Sequence, residues 1–219
     1  MKKAVIFDLD GVITDTALFH FQAWKKLAHQ LGLTFTEQDN EKLKGIDRMN
    51  SLRLIIKDSD HHFSDDELDE LAEQKNKHYQ SLIAQMNEQD IFPGVADLIG
   101  DLKTRGYLLG VASVSKNADF VLQRLKITHL FDYVADASKI AHSKPDPEIF
   151  LTVAENLQVL PANCVGIEDA IAGVSAIKAA GMPAIGVGAA DALHEADIVL
   201  GETGQISWQM IDQLLAKQA

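Results

Sequence analysis

Asp8 and Asp10 stand two residues apart at the end of the apolar run 4–7, and Gly11 follows at once. Two carboxylates this close repel each other unless a cation lies between them or one keeps its proton. The pair suits a hard divalent cation such as Mg²⁺, which takes few protein oxygens, keeps part of its water and bridges to phosphate. It also permits a division of labour: one carboxylate is ionised as a nucleophile while the other carries a proton as general acid and base. An isolated Asp-x-Asp is as a rule a solvated turn, so the reading depends on what converges with it.

The run 4–7 is short and β-rich, the pattern of a buried strand in a parallel sheet, and ligands of such sheets bind beyond the carboxyl ends of the strands. Gly11 permits the tight turn that must follow. From residue 17, Ala17, Phe21, Trp24, Leu27, Ala28 and Leu31 recur at helical spacing, and Gly32 supplies a stop. Thr36 with Asp39 starts a second helix that breaks at 44–48, and a further helical stretch holds Leu52, Ile55 and Ile56. Ser64 and Glu67 form a capping box that opens a long helix through Leu68, Leu71 and Tyr79 toward Met86. No convincing strand occurs between 16 and 88, which predicts an all-helical domain inserted after the first strand. After Pro93, helix and strand alternate, which implies a parallel sheet with right-handed crossovers. The expected strands are 107–112, 133–135, 164–167, 184–187 and 197–200. The expected fold is thus α/β, a doubly wound parallel sheet with a Rossmann-like core, formed by 1–15 and 91–219, with 16–90 as a helical cap.

Polar residues then cluster after successive strands: Asp8 and Asp10, Ser113, Lys144 in the loop before Pro145, and Glu168 with Asp169. All face one edge of the predicted sheet. Carboxylates for Mg²⁺, a hydroxyl and a lysine that neutralises the moving group make up a phosphoryl-transfer site.

In this order, Asp8-Leu9-Asp10-Gly11-Val12, Ser113, Lys144-Pro145 and Glu168-Asp169 resemble the four motifs of the haloacid dehalogenase superfamily. More narrowly, residues 8–16, Lys44-Gly45, Arg48 with Ser51, Lys75-Asn76, Ser115-Lys116-Asn117 and Ser143-Lys144-Pro145 resemble the β-phosphoglucomutase family. The resemblance implies roles. Asp8 is the nucleophile that becomes an aspartyl phosphate, and Asp10 the general acid and base. Asp8, the backbone carbonyl of Asp10, Glu168 and Asp169 hold Mg²⁺. Ser113 and Lys144 bind the transferring phosphoryl group. Arg48, Ser115, Lys116 and Asn117 grip a distal phosphate, while Thr16, His20, Trp24, Lys44, Gly45, Ser51 and Lys75 contribute to the sugar site. The implied activity interconverts β-glucose 1-phosphate and glucose 6-phosphate, with β-glucose 1,6-bisphosphate as activating intermediate. A sugar-phosphate phosphatase, a phospho-aspartate switch and a sugar-phosphate binding protein are the competing readings. Val114, between the two serines, and Ala170, after Asp169, depart from the family's usual smaller residue and serine.

Each assignment has a plainer alternative in the residues themselves. Glu168 and Asp169 also suit the N-terminus of the helix that begins near Ala170. Arg48 opens a different helix after a glycine-containing turn, where a cation is mildly unfavourable, and that cost favours a functional role. Lys144 alternatively serves a structural salt bridge. His20 lies one turn before Trp24 and alternatively packs with it. Lys75, among other charges on a long helix, reads as a solvated surface residue without the resemblance. His61-His62 reads as an exposed loop.

A length of 219 residues with 47% hydrophobic content suits one large or two modest soluble domains. The net charge of −12 argues against nucleic acid or an anionic membrane as partner. The expected partner is a small sugar phosphate bound by a monomer. The apolar run after Lys3 is too short for a signal peptide. The single Cys164 fits a reducing cytoplasm as a buried apolar side chain.

Overall fold

The computed structural model describes residues 2–43, 45–57, 59 and 61–217. Its centre is a six-stranded parallel sheet in the order β3-β2-β1-β4-β5-β6. The strands are β1 (Ala4–Phe7), β2 (Leu108–Val111), β3 (Tyr133–Val134), β4 (Cys164–Glu168), β5 (Ala184–Val187) and β6 (Ile198–Leu200). β1 lies between β2 and β4, with Phe7 in register with Val111 on one side and Ile167 on the other. Chain order runs outward from β1 to β2 and β3, then reverses to the far side through β4. That reversal opens the crevice in which such sheets bind ligands, and Asp8 emerges into it.

Alternation along β1 decides the layers. Val5 and Phe7 point into one apolar cluster with α5 (Val95–Thr104), α6 (Ala118–Arg124) and α9 (Trp208–Ala216). Ala4 and Ile6 point into the other, with α7 (Glu148–Leu157) and α8 (Ile171–Ala179). The fold is therefore doubly wound, as the patterning requires. Cys164 is buried at the start of β4.

Between β1 and β2 the chain forms α1 (Ala17–Gln30), α2 (Glu37–Glu41), α3 (Arg48–Ile56) and α4 (Asp65–Ile83), the inserted helical cap. These helices enclose a separate apolar cluster around Trp24, Leu27, Ala28, Phe35, Leu52, Leu68 and Ala72. Both capping boxes form, at Thr36 with Asp39 and at Ser64 with Glu67. The long helix ends at Ile83, one turn short of the predicted Met86. Tyr79, Ile83 and Met86 join the core cluster of the sheet rather than that of the cap, so the end of α4 is anchored where the two parts meet.

The chain enters and leaves the cap through adjacent backbone. Thr14 bridges Ile91, Phe92 N–H donates to the Ile13 carbonyl at 2.9 Å, and Thr14 Oγ1 donates to the Asp90 carbonyl at 2.5 Å. Gly94, at φ +82°, packs so closely on Gly204 that a Cβ would lie 2.7 Å from the Gly204 Cα.

Candidate active site

The strand ends assemble a buried charge cluster. Lys144 Nζ donates to Asp8 Oδ1 at 2.7 Å and to Glu168 Oε1 at 2.5 Å, with both carboxylates almost fully buried. The other Glu168 oxygen accepts the backbone N–H groups of Asp169 and Ala170 at 2.7 and 2.9 Å. Both amides precede the first turn of α8, and its N-cap Ala170 makes no side-chain cap bond, so Glu168 fixes the turn from β4 into α8 rather than capping the helix. Two glycines make the close approach possible. A Cβ on Gly11 would overlap the Asp169 carboxylate, and one on Gly173 would overlap that of Glu168.

The donor set fits a hard divalent cation. Ligand atoms of Asp8, Glu168 and Asp169 lie within 4.8 Å of one another, all of them carboxylate oxygens, and oxygen-only sites suit Mg²⁺. The charge balance points the same way. Burial foremost pushes Asp8 well above the ordinary carboxylate range, with Glu168, Asp10 and Asp169 adding to it and Lys144 opposing. Burial acts to lower Lys144, but Asp8 and Glu168 outweigh it and hold the ammonium protonated. Lys144 alone does not balance the negative charge gathered here, and a divalent cation would.

Asp10 accepts a hydrogen bond from Thr16 Oγ1. Burial foremost raises its pKa, with Thr16 and the cations Lys144 and Lys75 opposing, so Asp10 retains a proton more readily than a solvated aspartate. That is the property a general acid needs.

Above these groups lies a cavity of about 410 Å³ between sheet and cap. Asp8, Asp10 and Asp169 line its core side. Thr16, His20, Trp24, Gly45, Arg48, Ser51 and Lys75 line it from the cap, and Ser115, Lys116 and Asn117 from the loop after β2. Ser113, Lys144 and Glu168 are buried and do not line it; Ser113 Oγ accepts the Ser115 N–H at 3.2 Å. Lys44 falls outside the described residues. Ser51 is buried, with its hydroxyl 3.4 Å from the Ile46 carbonyl, and Val114 adds an apolar patch to the wall.

The solvated reading of Lys75 is corrected. Its residue is 3% exposed, and its ammonium lies 2.9 Å from His20 Nδ1, 4.5 Å from the Trp24 ring centroid and 4.7 Å from that of Tyr79. The charge-rich neighbours Glu73 and Lys77 are the exposed ones, so the helix carries one cation on its inner face. Burial lowers Lys75 to about 7, helped by Arg48 and opposed by Asp10, and it lowers His20 well below its usual value. Neutral His20 thus accepts from the ammonium.

The sign of the resulting pH effect follows. Between about pH 7 and the ordinary lysine range the unfolded chain binds a proton at Lys75 that the folded chain does not, so this group adds stability as pH rises. Lys75→Met is expected to melt above wild type at pH 6, with the difference shrinking toward pH 9. Thermal unfolding across that range checks it, and a difference that widens with pH would refute it.

Several residues of the site carry weak sequence signals. Gly173 sits inside a helix, where glycine is unfavourable without a packing reason; that mismatch is the available cue. Tyr79 packs its ring 4.1 Å from that of His20 and read only as a helix position. The Asn117 side chain is bonded by the cap: its Nδ2 donates to Asn76 Oδ1 and its Oδ1 accepts from Gln80 Nε2, each at 2.9 Å.

A lysine-bound aspartate at the switch point of a parallel sheet, under a helical cap, is the equipment of a phosphoryl-transfer enzyme. The pattern of the haloacid dehalogenase-like hydrolases matches residues 2–181, and the chain belongs to that family. It is 46% identical over 213 residues to the β-phosphoglucomutase of Bacillus subtilis (strain 168), covering 96% of this chain and 94% of the relative. A crystal structure of β-phosphoglucomutase from Clostridium difficile superposes with a TM-score of 0.96 at 46% identity, covering 99% of this chain and 98% of that one. A phosphorylated carbohydrates phosphatase of Thermotoga maritima is 30% identical, over 97% of this chain and 96% of its own.

Proposed function

We propose that the protein is a β-phosphoglucomutase, interconverting β-D-glucose 1-phosphate and D-glucose 6-phosphate. The observation that carries this reading is a single cavity with cations at two places. Lys144 holds Asp8 beneath it, and Arg48 and Lys116 line its wall. A phosphatase needs one phosphate site; a mutase that handles a bisphosphate needs two. The near-full-length relatives at 46% identity support the same reading.

In this reading the phosphorylated Asp8 donates its phosphoryl group to the C6 hydroxyl of β-glucose 1-phosphate while Asp10 takes that proton. The product, β-glucose 1,6-bisphosphate, turns over in the closed cavity. Its C1 phosphoryl group then passes to Asp8, Asp10 returns the proton to the C1 oxygen, and glucose 6-phosphate leaves. Ser113 and Lys144 hold the transferring group, and Lys144 neutralises charge where it develops. Arg48, Ser115, Lys116 and Asn117 hold the distal phosphate, and His20, Trp24, Ser51 and Lys75 hold the ring. Asp8, Asp169, Glu168 and the Asp10 carbonyl would hold Mg²⁺, which when bound supplies charge neutralisation to the phosphoryl oxygens. The core comprises 1–15 and 91–219, and 16–90 closes over it to exclude water from the aspartyl phosphate. The protein acts as a monomer in the cytoplasm; no helix among the described residues is long and apolar enough to cross a membrane.

The test incubates the protein with β-glucose 1-phosphate, Mg²⁺ and a trace of β-glucose 1,6-bisphosphate, and follows glucose 6-phosphate and inorganic phosphate together. Glucose 6-phosphate formed in excess over phosphate, and lost on chelation of the metal, is the expected result. Phosphate released one for one with substrate consumed would make the protein a sugar-phosphate phosphatase instead.

A further inference from the structure

We propose that Ser143 and Asp47 form a clasp that holds the cap shut on the core and so limits transfer of the phosphoryl group to water. This rests on the mutase reading and extends it to residues that reading leaves without a role.

Ser143 Oγ donates to Asp47 Oδ2 at 2.6 Å across 96 residues of chain. The two residues are not chance surface neighbours. Asp47 is the N-cap of α3, its Oδ1 accepting the N–H groups of Met49 and Asn50 at 3.0 Å each. One carboxylate therefore shapes the start of a cap helix with one oxygen and reaches the core with the other. Asn50 Nδ2 also donates to Oδ2, at 2.5 Å, and orients it.

Position in the chain makes this contact consequential. Asp47 immediately precedes Arg48, which lines the cavity, and Ser143 immediately precedes Lys144, which holds Asp8. A single hydrogen bond thus ties the backbone carrying the distal cation to the backbone carrying the catalytic lysine. Gly45, two residues before Asp47, faces the same part of the core: a Cβ there would make ordinary van der Waals contact with the Cβ of Ala170 at 3.6 Å and Cδ of Lys144 at 3.9 Å. The bridging of Asn117 to Asn76 and Gln80 makes a second cross-link between cap and core. The cap would swing about the linkers near 15–16 and 91–94, and the Ser143 bond joins the two parts elsewhere in the sequence. An acceptor that is ionised makes the Ser143 bond stronger than one between neutral groups, yet it is a lone bond that closure can make and opening can break.

Ser143→Ala removes the donor without touching the Asp47 cap of α3, and Ser143→Thr restores a hydroxyl. Two readouts apply to the Mg²⁺-loaded full chain: inorganic phosphate released per glucose 6-phosphate formed, and the radius of gyration by small-angle scattering. Ser143→Ala is expected to raise the phosphate-to-isomer ratio roughly tenfold and to enlarge the particle, while Ser143→Thr stays near wild type. Asp47→Asn keeps an oxygen for the helix cap while losing the charge, and is expected to fall between them. A simple loss of stability would lower both products together and leave the ratio unchanged. A wild-type ratio and radius in Ser143→Ala would overturn the clasp. If the wild type makes no isomer, the mutase reading fails, and scattering alone decides whether the clasp exists.

Discussion

Asp8→Asn is expected to keep the fold and to reduce isomerisation by on the order of 10⁴-fold or more, the scale of loss when a catalytic nucleophile is deleted. The amide is nearly isosteric and can still accept from Lys144, so the loss reports chemistry rather than collapse. In the metal-free protein burial raises Asp8 above its unfolded value, so this group favours folding less as pH rises through the ordinary carboxylate range, and Asp8→Asn is expected to flatten that part of the pH dependence of melting without Mg²⁺. Rapid-quench detection of an acid-stable phosphoprotein, present in wild type and absent in the variant, completes the test. Isomerisation by Asp8→Asn at the native rate would end the proposed mechanism.

Lys144→Met has the second large effect, and here stability and activity fall together. Its ammonium is the shared partner of two buried carboxylates. Removing one member of a buried charge group leaves the others uncompensated, at a cost of about 3–5 kcal/mol. Added Mg²⁺ should recover part of this, because the same carboxylates would then face a cation, whereas it should stabilise wild type less. Turnover is expected to fall about 10²- to 10³-fold even with metal, since the charge aimed at the transferring group is gone. Chemical denaturation in chelator and in excess Mg²⁺ measures the first effect, and initial rates the second. A variant as stable as wild type in chelator would show that the cluster is not organised around this lysine.

What could be read before folding was whatever depends on near neighbours in sequence. The parallel sheet followed from alternating helix and strand with apolar runs, the cap from a long region of helical spacing without strands, and the helix starts at Ser64 and Thr36 from their capping residues. The meeting of Asp8, Lys144 and Glu168 was legible because a parallel sheet brings successive strand ends to one edge.

Tertiary structure alone decided the matters that depend on which faces of distant helices meet. Helical spacing identifies neighbours on a face but does not say which face is buried. Lys75 therefore looked solvated until α4 packed its inner face against α1 and placed the ammonium beside His20. The same reason hid the bonding of Asn117 by α4 and the contact of Ser143 with Asp47, since each joins residues dozens of positions apart through the closure of the cap. Gly173 is required because the Glu168 side chain folds back over α8. A local pattern carries the backbone's choices, but contacts between separate elements exist only once the whole chain has packed.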